Sequence, residues 1–211
     1  MTDGLELLAS QRAVAIVRAA SPAQALGAAR AAIEGGLGVV EITMNTPGAL
    51  DVIRELASSH SGLIGAGTVL DAATADSVLD AGARLIVSPH TDPSLIRHVV
   101  GRGGLCVPGA MTPTEVLTAR AAGAPVVKIF PAGCIGGPEF IRMLRGPFAD
   151  ARLLPTGGVT AENAGIYLAA GAFAVGLTGW LFPKEALEAE DWSAVRTRAA
   201  ELVRRLAALP R

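Results

Sequence analysis

Residues 126–132 read Val-Val-Lys-Ile-Phe-Pro-Ala, an apolar run enclosing a single lysine and ending in a proline. So short a run, rich in β-branched residues, predicts a strand buried on both faces. Seven similar runs lie along the chain: VAIVR (14–18), VVEITM (39–44), LIGAGTV (63–69), LIVSPH (85–90), LCVPGA (105–110), RLLPTGG (152–158) and FAVGLTG (173–179). Their starts are 20 to 26 residues apart, and the Ala-, Leu-, Glu- and Arg-rich stretches between them are long enough for three-turn helices. Strand–helix alternation predicts a parallel sheet covered by helices. Eight such units predict a single-domain TIM (β/α)8 barrel over 1–211, short for a fold that typically takes ~250 residues. An open doubly wound sheet is the alternative.

The punctuation follows the same plan. Ser21-Pro22, Thr46-Pro47, Asp92-Pro93 and Thr112-Pro113 each place a capping residue before a proline, which favours the first helical position. Ser21 with Gln24 and Thr112 with Glu115 have capping-box spacing. Gly35-Gly36, Ala81-Gly82, Ala122-Gly123 and Ala170-Gly171 predict helix ends just before the next strand. A last helix is expected from about Ser193 to Leu209.

Composition narrows the function. The hydrophobic share is 51% and the formal net charge −1, so the chain is globular and has no basic stripe for nucleic acid. No apolar run reaches the ~18 residues of a membrane span. The start, with Asp3 and Glu6, lacks a basic-then-apolar signal pattern. Cys106 and Cys134 match no zinc spacing and need not pair. The expectation is a cytoplasmic protein acting on a small molecule, with neither nucleic acid nor membrane as partner. Neither a Walker loop nor a GxGxxG fingerprint is present, so no nucleotide cofactor is indicated.

The chain has sixteen arginines but two lysines, Lys128 and Lys184. Lys184 lies in a polar segment and reads as surface. Lys128 lies inside an apolar strand, where an unpaired cation is rare. A position that keeps lysine in an arginine-dominated chain points to a nitrogen able to lose its proton. Such an amine attacks a ketone to form an imine, an electron sink for cleaving the adjacent carbon–carbon bond. The plainer reading is a lysine that snorkels to the strand end or joins a structural ion pair.

Val39-Val40-Glu41-Ile42 repeats the pattern, with a charge third in the second run as Lys128 is third in the sixth. Alternate strands of a barrel share a layer, so Glu41 and Lys128 are expected to point inward from opposite walls. A carboxyl in a low-polarity pocket has a raised pKa and can shuttle protons. Its plainer role is to neutralise Lys128. Further polar residues end the strands where barrel active sites form: Arg18, Thr43, Asn45, Thr68, Ser88 and His90, with Pro89 and Phe130 as apolar neighbours. Arg18 can hold a carboxylate or phosphate, or form a rim salt bridge. Thr68 can bond a carboxylate or cap a helix. His90 and His98 have no partner at metal-ligand spacing and read as rim or surface. The last two runs end in glycine-rich loops, Thr156-Gly157-Gly158-Val159-Thr160 and Gly176-Leu177-Thr178-Gly179, which can bind phosphate through backbone N–H groups.

With VVEIT, LIGAGTVL, LIVSPH, PGAMTPTE, VVKIFPA, GPF and PTGGV together, the chain resembles the 2-keto-3-deoxy-6-phosphogluconate (KDPG) aldolase family, which includes 4-hydroxy-2-oxoglutarate (KHG) aldolases. The resemblance covers nearly the whole chain. It implies a class I aldolase and homotrimer without metal, in which Lys128 forms the Schiff base, Glu41 shuttles protons and Thr68 binds a carboxylate. It implies release of pyruvate with glyceraldehyde 3-phosphate, or with glyoxylate from 4-hydroxy-2-oxoglutarate. Two positions depart from the pattern. Asn45 stands where many members carry a carboxylate-binding arginine, as it does in some relatives acting on the galactonate epimer, and Arg18 can serve instead. Leu177-Thr178-Gly179 replaces a phosphate-contacting Gly-Ser pair. The rival readings are the galactonate-type aldolase, a non-covalent phosphosugar isomerase or epimerase using Glu41 as base, and a catalytically silent scaffold.

Overall fold

The computed structural model describes residues 2–210. Met1, Arg211 and the side chains of Thr2 and Asp3 lie outside the described residues, and with them the expected domain limits and the reading of Asp3. The strands are β1 (Ala13–Val17), β2 (Val39–Thr43), β3 (Leu63–Gly67), β4 (Leu85–Val87), β5 (Leu105–Val107), β6 (Gly109–Ala110), β7 (Val127–Ile129), β8 (Leu153–Pro155) and β9 (Val175–Leu177). They pair in parallel as a six-stranded sheet, β5-β4-β3-β2-β1-β9, and a three-stranded sheet, β6-β7-β8. Helices α1 (Thr2–Gln11), α2 (Pro22–Glu34), α3 (Ala49–Ser59), α4 (Ala72–Asp80), α5 (Pro93–Gly101), α6 (Pro113–Ala121), α7 (Gly137–Arg145), α8 (Ala161–Ala169), α9 (Lys184–Glu188) and α10 (Trp192–Ala207) connect and cover them.

The result is an α/β fold on a curled parallel sheet, and the expected single ladder of eight strands is interrupted. The fifth run divides at Pro108, which has no N–H to donate to a ladder. Its carbonyl still accepts from Lys128 N at 2.8 Å, so β7 turns onto the same chain segment. At the other seam one parallel bridge joins Thr156, just after β8, to Gly176 in the middle of β9.

Side chains alternate along each strand. Ala13, Ala15 and Val17 join the large core beneath the helices, whereas Val14 and Ile16 join a smaller inner cluster with Val39, Val126 and Leu154. Leu8 of α1 closes that cluster at the N-terminal ends of the strands, with Leu5, Leu7 and Phe173 packed against it. The inner parity, carried upward, falls on Arg18, Glu41, Thr43, Lys128 and Thr156.

Three of the four expected helix starts are capped as read: Ser21, Asp92 and Thr112 each accept a backbone N–H, and Thr112 with Glu115 completes a capping box. Thr46 does not cap. Helix α3 begins after Gly48 in the left-handed region, because the Thr46 hydroxyl is engaged elsewhere. The expected helix ends hold: Gly36, Gly82, Gly123 and Gly171 all take φ near +100°, a conformation with little steric cost only for glycine. No helix among the described residues is long and apolar enough to cross a membrane.

Candidate active site

Glu41 lies inside β2, paired with Ile16 of β1 and Gly65 of β3, and is 1% exposed. Burial pushes its carboxyl pKa up, and the positive charges of Lys128 and then Arg18 oppose that rise. Both cations therefore lie close enough to act on it. Oε1 of Glu41 is buried without a hydrogen-bond partner. Lys128, 7% exposed, faces the same interior from β7, between Gly109 of β6 and Leu154 of β8. Its Nζ stands 5.1 Å from the centre of the Phe130 ring. Among the described residues no ion pair joins Lys128 to any carboxylate, so the structural ion pair expected of the plainer reading is not formed. Lys184, by contrast, is exposed and pairs with Glu188 at 3.5 Å.

The mouth above this pair is built from strand ends. Thr43 Oγ1 lies 3.3 Å from Thr46 Oγ1, which also accepts from Ala19 N at 3.2 Å. Thr46 thus ties the segment after Arg18 to the end of β2. Sequence reasoning had assigned it to a helix cap; its burial, 3% exposed, separates the two roles. Arg18 and Asn45 are exposed at this rim. Thr68 takes φ +58°, unusual for a β-branched residue and costing roughly 1–2 kcal/mol. Backbone bonds on either side, Met44 N to Gly67 O at 2.8 Å and Val69 N to Val87 O at 3.1 Å, hold it there. Ser88 donates to the carbonyl of His90, two residues on, at 2.7 Å, and His90 is exposed. Pro89 lies beside Gly109, whose Cβ, if added, would come 2.4 Å from the Pro89 carbonyl carbon. His98 pairs with Asp76 on the outer surface.

At the β8–β9 end, Gly157 and Gly158 both have left-handed φ, +92° and +79°. The segment is pinned from two sides. Gly133 N donates to Gly157 O at 2.9 Å, and Asn163 Nδ2 donates to Gly158 O at 2.9 Å. Thr160 and Asn163 form a capping box at the start of α8, so the pair of glycines precedes a helix N-terminus, where negative charge is favoured. Thr178 is half-buried and Gly179 exposed in the turn after β9, which closes with Phe182 N donating to Thr178 O at 2.8 Å. Gly176, expected in that loop, is instead inside β9, and a Cβ on it would come 2.3 Å from Thr156 Oγ1. That hydroxyl is buried and has no partner. The sequence places Thr156 at the head of the Thr156–Thr160 phosphate segment without giving its hydroxyl a role, and the structure buries that hydroxyl against Gly176.

A buried amine and a buried, unpaired carboxyl thus face one interior beneath a polar rim. The chain also matches the family described as KDPG and KHG aldolase over residues 5–198. The protein belongs to this aldolase family. It is 37% identical to the 2-dehydro-3-deoxy-phosphogluconate aldolase of Pseudomonas aeruginosa over 88% of this chain and 84% of that protein. It is 39% identical to the probable 2-dehydro-3-deoxy-6-phosphogalactonate aldolase of Rhizobium meliloti, over 88% and 87%. Among solved structures it superposes on the KDPG aldolase of Legionella pneumophila, captured with pyruvate as a covalent carbinolamine, with a TM-score of 0.87 at 28% identity, covering 94% of this chain and 97% of that one. As an aldolase, hence a lyase, it is neither a non-covalent isomerase nor a silent scaffold. The six-stranded sheet of this aldolase brings Glu41 and Thr43 to the site, and the three-stranded sheet brings Lys128.

Proposed function

We propose that the protein cleaves 2-keto-3-deoxy-6-phosphogluconate to pyruvate and glyceraldehyde 3-phosphate through an imine on Lys128. The observation that carries the reading is the buried Lys128, whose positive charge acts on the buried Glu41 carboxyl without pairing to it. An amine held in an ion pair would be a poor nucleophile; one left free can attack. Lys128 Nζ adds to the C2 ketone, and the carbinolamine loses water to the imine. Glu41 takes the proton from the C4 hydroxyl as the C3–C4 bond breaks, and the bonding electrons pass to the imine nitrogen as an enamine forms. After the aldehyde leaves, Glu41 returns a proton to C3, and water hydrolyses the pyruvyl imine. A raised carboxyl pKa suits a group that must hold and release a proton in turn.

In this reading Arg18 holds the substrate carboxylate with Thr68, Thr43 and Asn45, while Pro89 and Phe130 form the apolar walls. The phosphate lies against Gly157, Gly158, Thr178 and Gly179; Gly176 makes room for Thr156 rather than binding phosphate itself. The galactonate epimer is the second reading, favoured by Asn45 and by the slightly higher identity to the Rhizobium relative. 4-Hydroxy-2-oxoglutarate, giving pyruvate and glyoxylate, is a further substrate. The same reading takes the chain as one domain, its two sheets forming one eight-stranded barrel. The unbroken segment through Pro108 and the Thr156–Gly176 bridge support that closure. It also takes the protein as a cytoplasmic homotrimer that needs neither metal nor cofactor.

Borohydride reduction in the presence of pyruvate tests the chemistry. Mass spectrometry is expected to find the reduced adduct on Lys128. An adduct on Lys184, or none, overturns the mechanism. Steady-state kinetics on the two epimers and on 4-hydroxy-2-oxoglutarate then rank the substrates.

A further inference from the structure

We propose that Gly67 is a positioning residue for catalysis: the missing side chain at the end of β3 is the socket that holds the Glu41 carboxyl in place. The inference rests on the roles of Lys128 and Glu41 given above. A Cβ built on Gly67 would stand 1.7 Å from Glu41 Oε1, 2.5 Å from Cδ and 2.8 Å from Cγ. The three nearest atoms thus all belong to one side chain, and every distance is inside van der Waals contact. The backbone does not itself demand glycine here. Gly67 lies in β3 in register with Thr43, and it is not among the residues with positive φ. The need for glycine is one of space.

The main chain of Gly67 cannot give way cheaply, so the end of the Glu41 side chain is what shifts. The carbonyl of Gly67 accepts from Met44 N at 2.8 Å, and the next residue is the left-handed Thr68. Glu41 is 1% exposed and its main chain is fixed in the centre of its ladder, so its carboxyl shifts only within a closed interior. Its Oε1 has no hydrogen-bond partner, so the shape of the socket, not a bond to that oxygen, sets where the oxygen rests. Filling the socket must displace the carboxyl from the place where the site holds it. A displacement of about 1 Å at a catalytic group can cost on the order of 100-fold in rate.

The experiment compares Gly67→Ala with wild type in two pyruvate assays. Half-saturation of borohydride trapping at equilibrium reports binding and the imine. Exchange of the pyruvate C3 protons for deuterium reports the proton shuttle. The expected result is trapping within about twofold of wild type and exchange slowed by about 100-fold. In a Glu41→Gln background, Gly67→Ala is expected to slow exchange no further, because its effect passes through Glu41. Exchange within about threefold of wild type, parallel loss of trapping and exchange, or an added loss in the Glu41→Gln background each overturns the proposal. If Gly67→Ala does not fold, the pair Glu41→Ala/Gly67→Ala decides. A restored cooperative melt supports the socket, and continued unfolding overturns it. Failure of the wild-type protein to trap pyruvate overturns the underlying imine reading and this proposal with it.

Discussion

The two ends of the candidate site are built in opposite ways. The Lys128–Glu41 end relies on side chains: two charges set among apolar residues, their heads buried and, at Glu41 Oε1, unbonded. The Gly157–Thr178 end relies on main chain: glycines in left-handed conformations, a capping box and a helix N-terminus, partly open to solvent. Buried charges are costly and are kept where their chemistry is used. Backbone N–H groups belong to every residue, so only their aim makes a site. Substitutions at the first end should therefore act on the chemical step, and those at the second on affinity for one part of the substrate.

The largest expected effect sharpens that contrast. Lys128→Arg keeps the charge but not the nucleophile, and turnover should fall by a factor on the order of 10⁶, as when a covalent nucleophile is removed. Measurable turnover near wild type would break the comparison at its root. Arg18→Leu comes next. Losing a charged hydrogen bond of about 2 kcal/mol should raise the pyruvate concentration needed for half-maximal trapping by roughly thirtyfold. Unchanged trapping would move Arg18 to the phosphate end. Gly158→Val should raise KM for the phosphorylated substrate by about tenfold and leave 4-hydroxy-2-oxoglutarate nearly unaffected, since a β-branched residue costs roughly 1–2 kcal/mol at φ +79°. Equal loss on both substrates would make that loop a structural element.

The smallest effect is on stability. Burial raises the Glu41 pKa above its ordinary 4.5, so the folded protein holds that proton more tightly than the unfolded chain does. Stability from this group is then full below pH 4.5 and declines as pH rises through the elevated folded value. Glu41→Gln is neutral throughout and escapes the decline. It should melt above wild type at neutral pH, with the difference closing below pH 4.5. An equal or lower melting temperature at neutral pH would mean that Glu41 also supports the fold.

Periodicity, caps and glycine ends were legible because each follows from local rules. A strand buried on both faces must be apolar, and a helix that ends just before it needs a left-handed residue. Lys128 and Glu41 were legible as the charges inside such strands. What was misread depended on neighbours far along the chain. Thr46 looks like a cap until Ala19 and Thr43 claim its hydroxyl. Gly176 looks like loop until Thr156 is seen against it. Gly67 carries no chemistry of its own, and its meaning comes only from the carboxyl of Glu41 beside it.

By itself, then, the sequence determined the alternation of elements and which charge sits in which apolar strand, because the energetic cost of a buried charge is local. Only the tertiary structure decided that Lys128 and Glu41, both facing inward as their strands predict, do not pair, that the ladder breaks at Pro108, and that glycine at 67 leaves room for a carboxylate. Those are matters of distance between segments, and distance is set by register and packing rather than by any one residue.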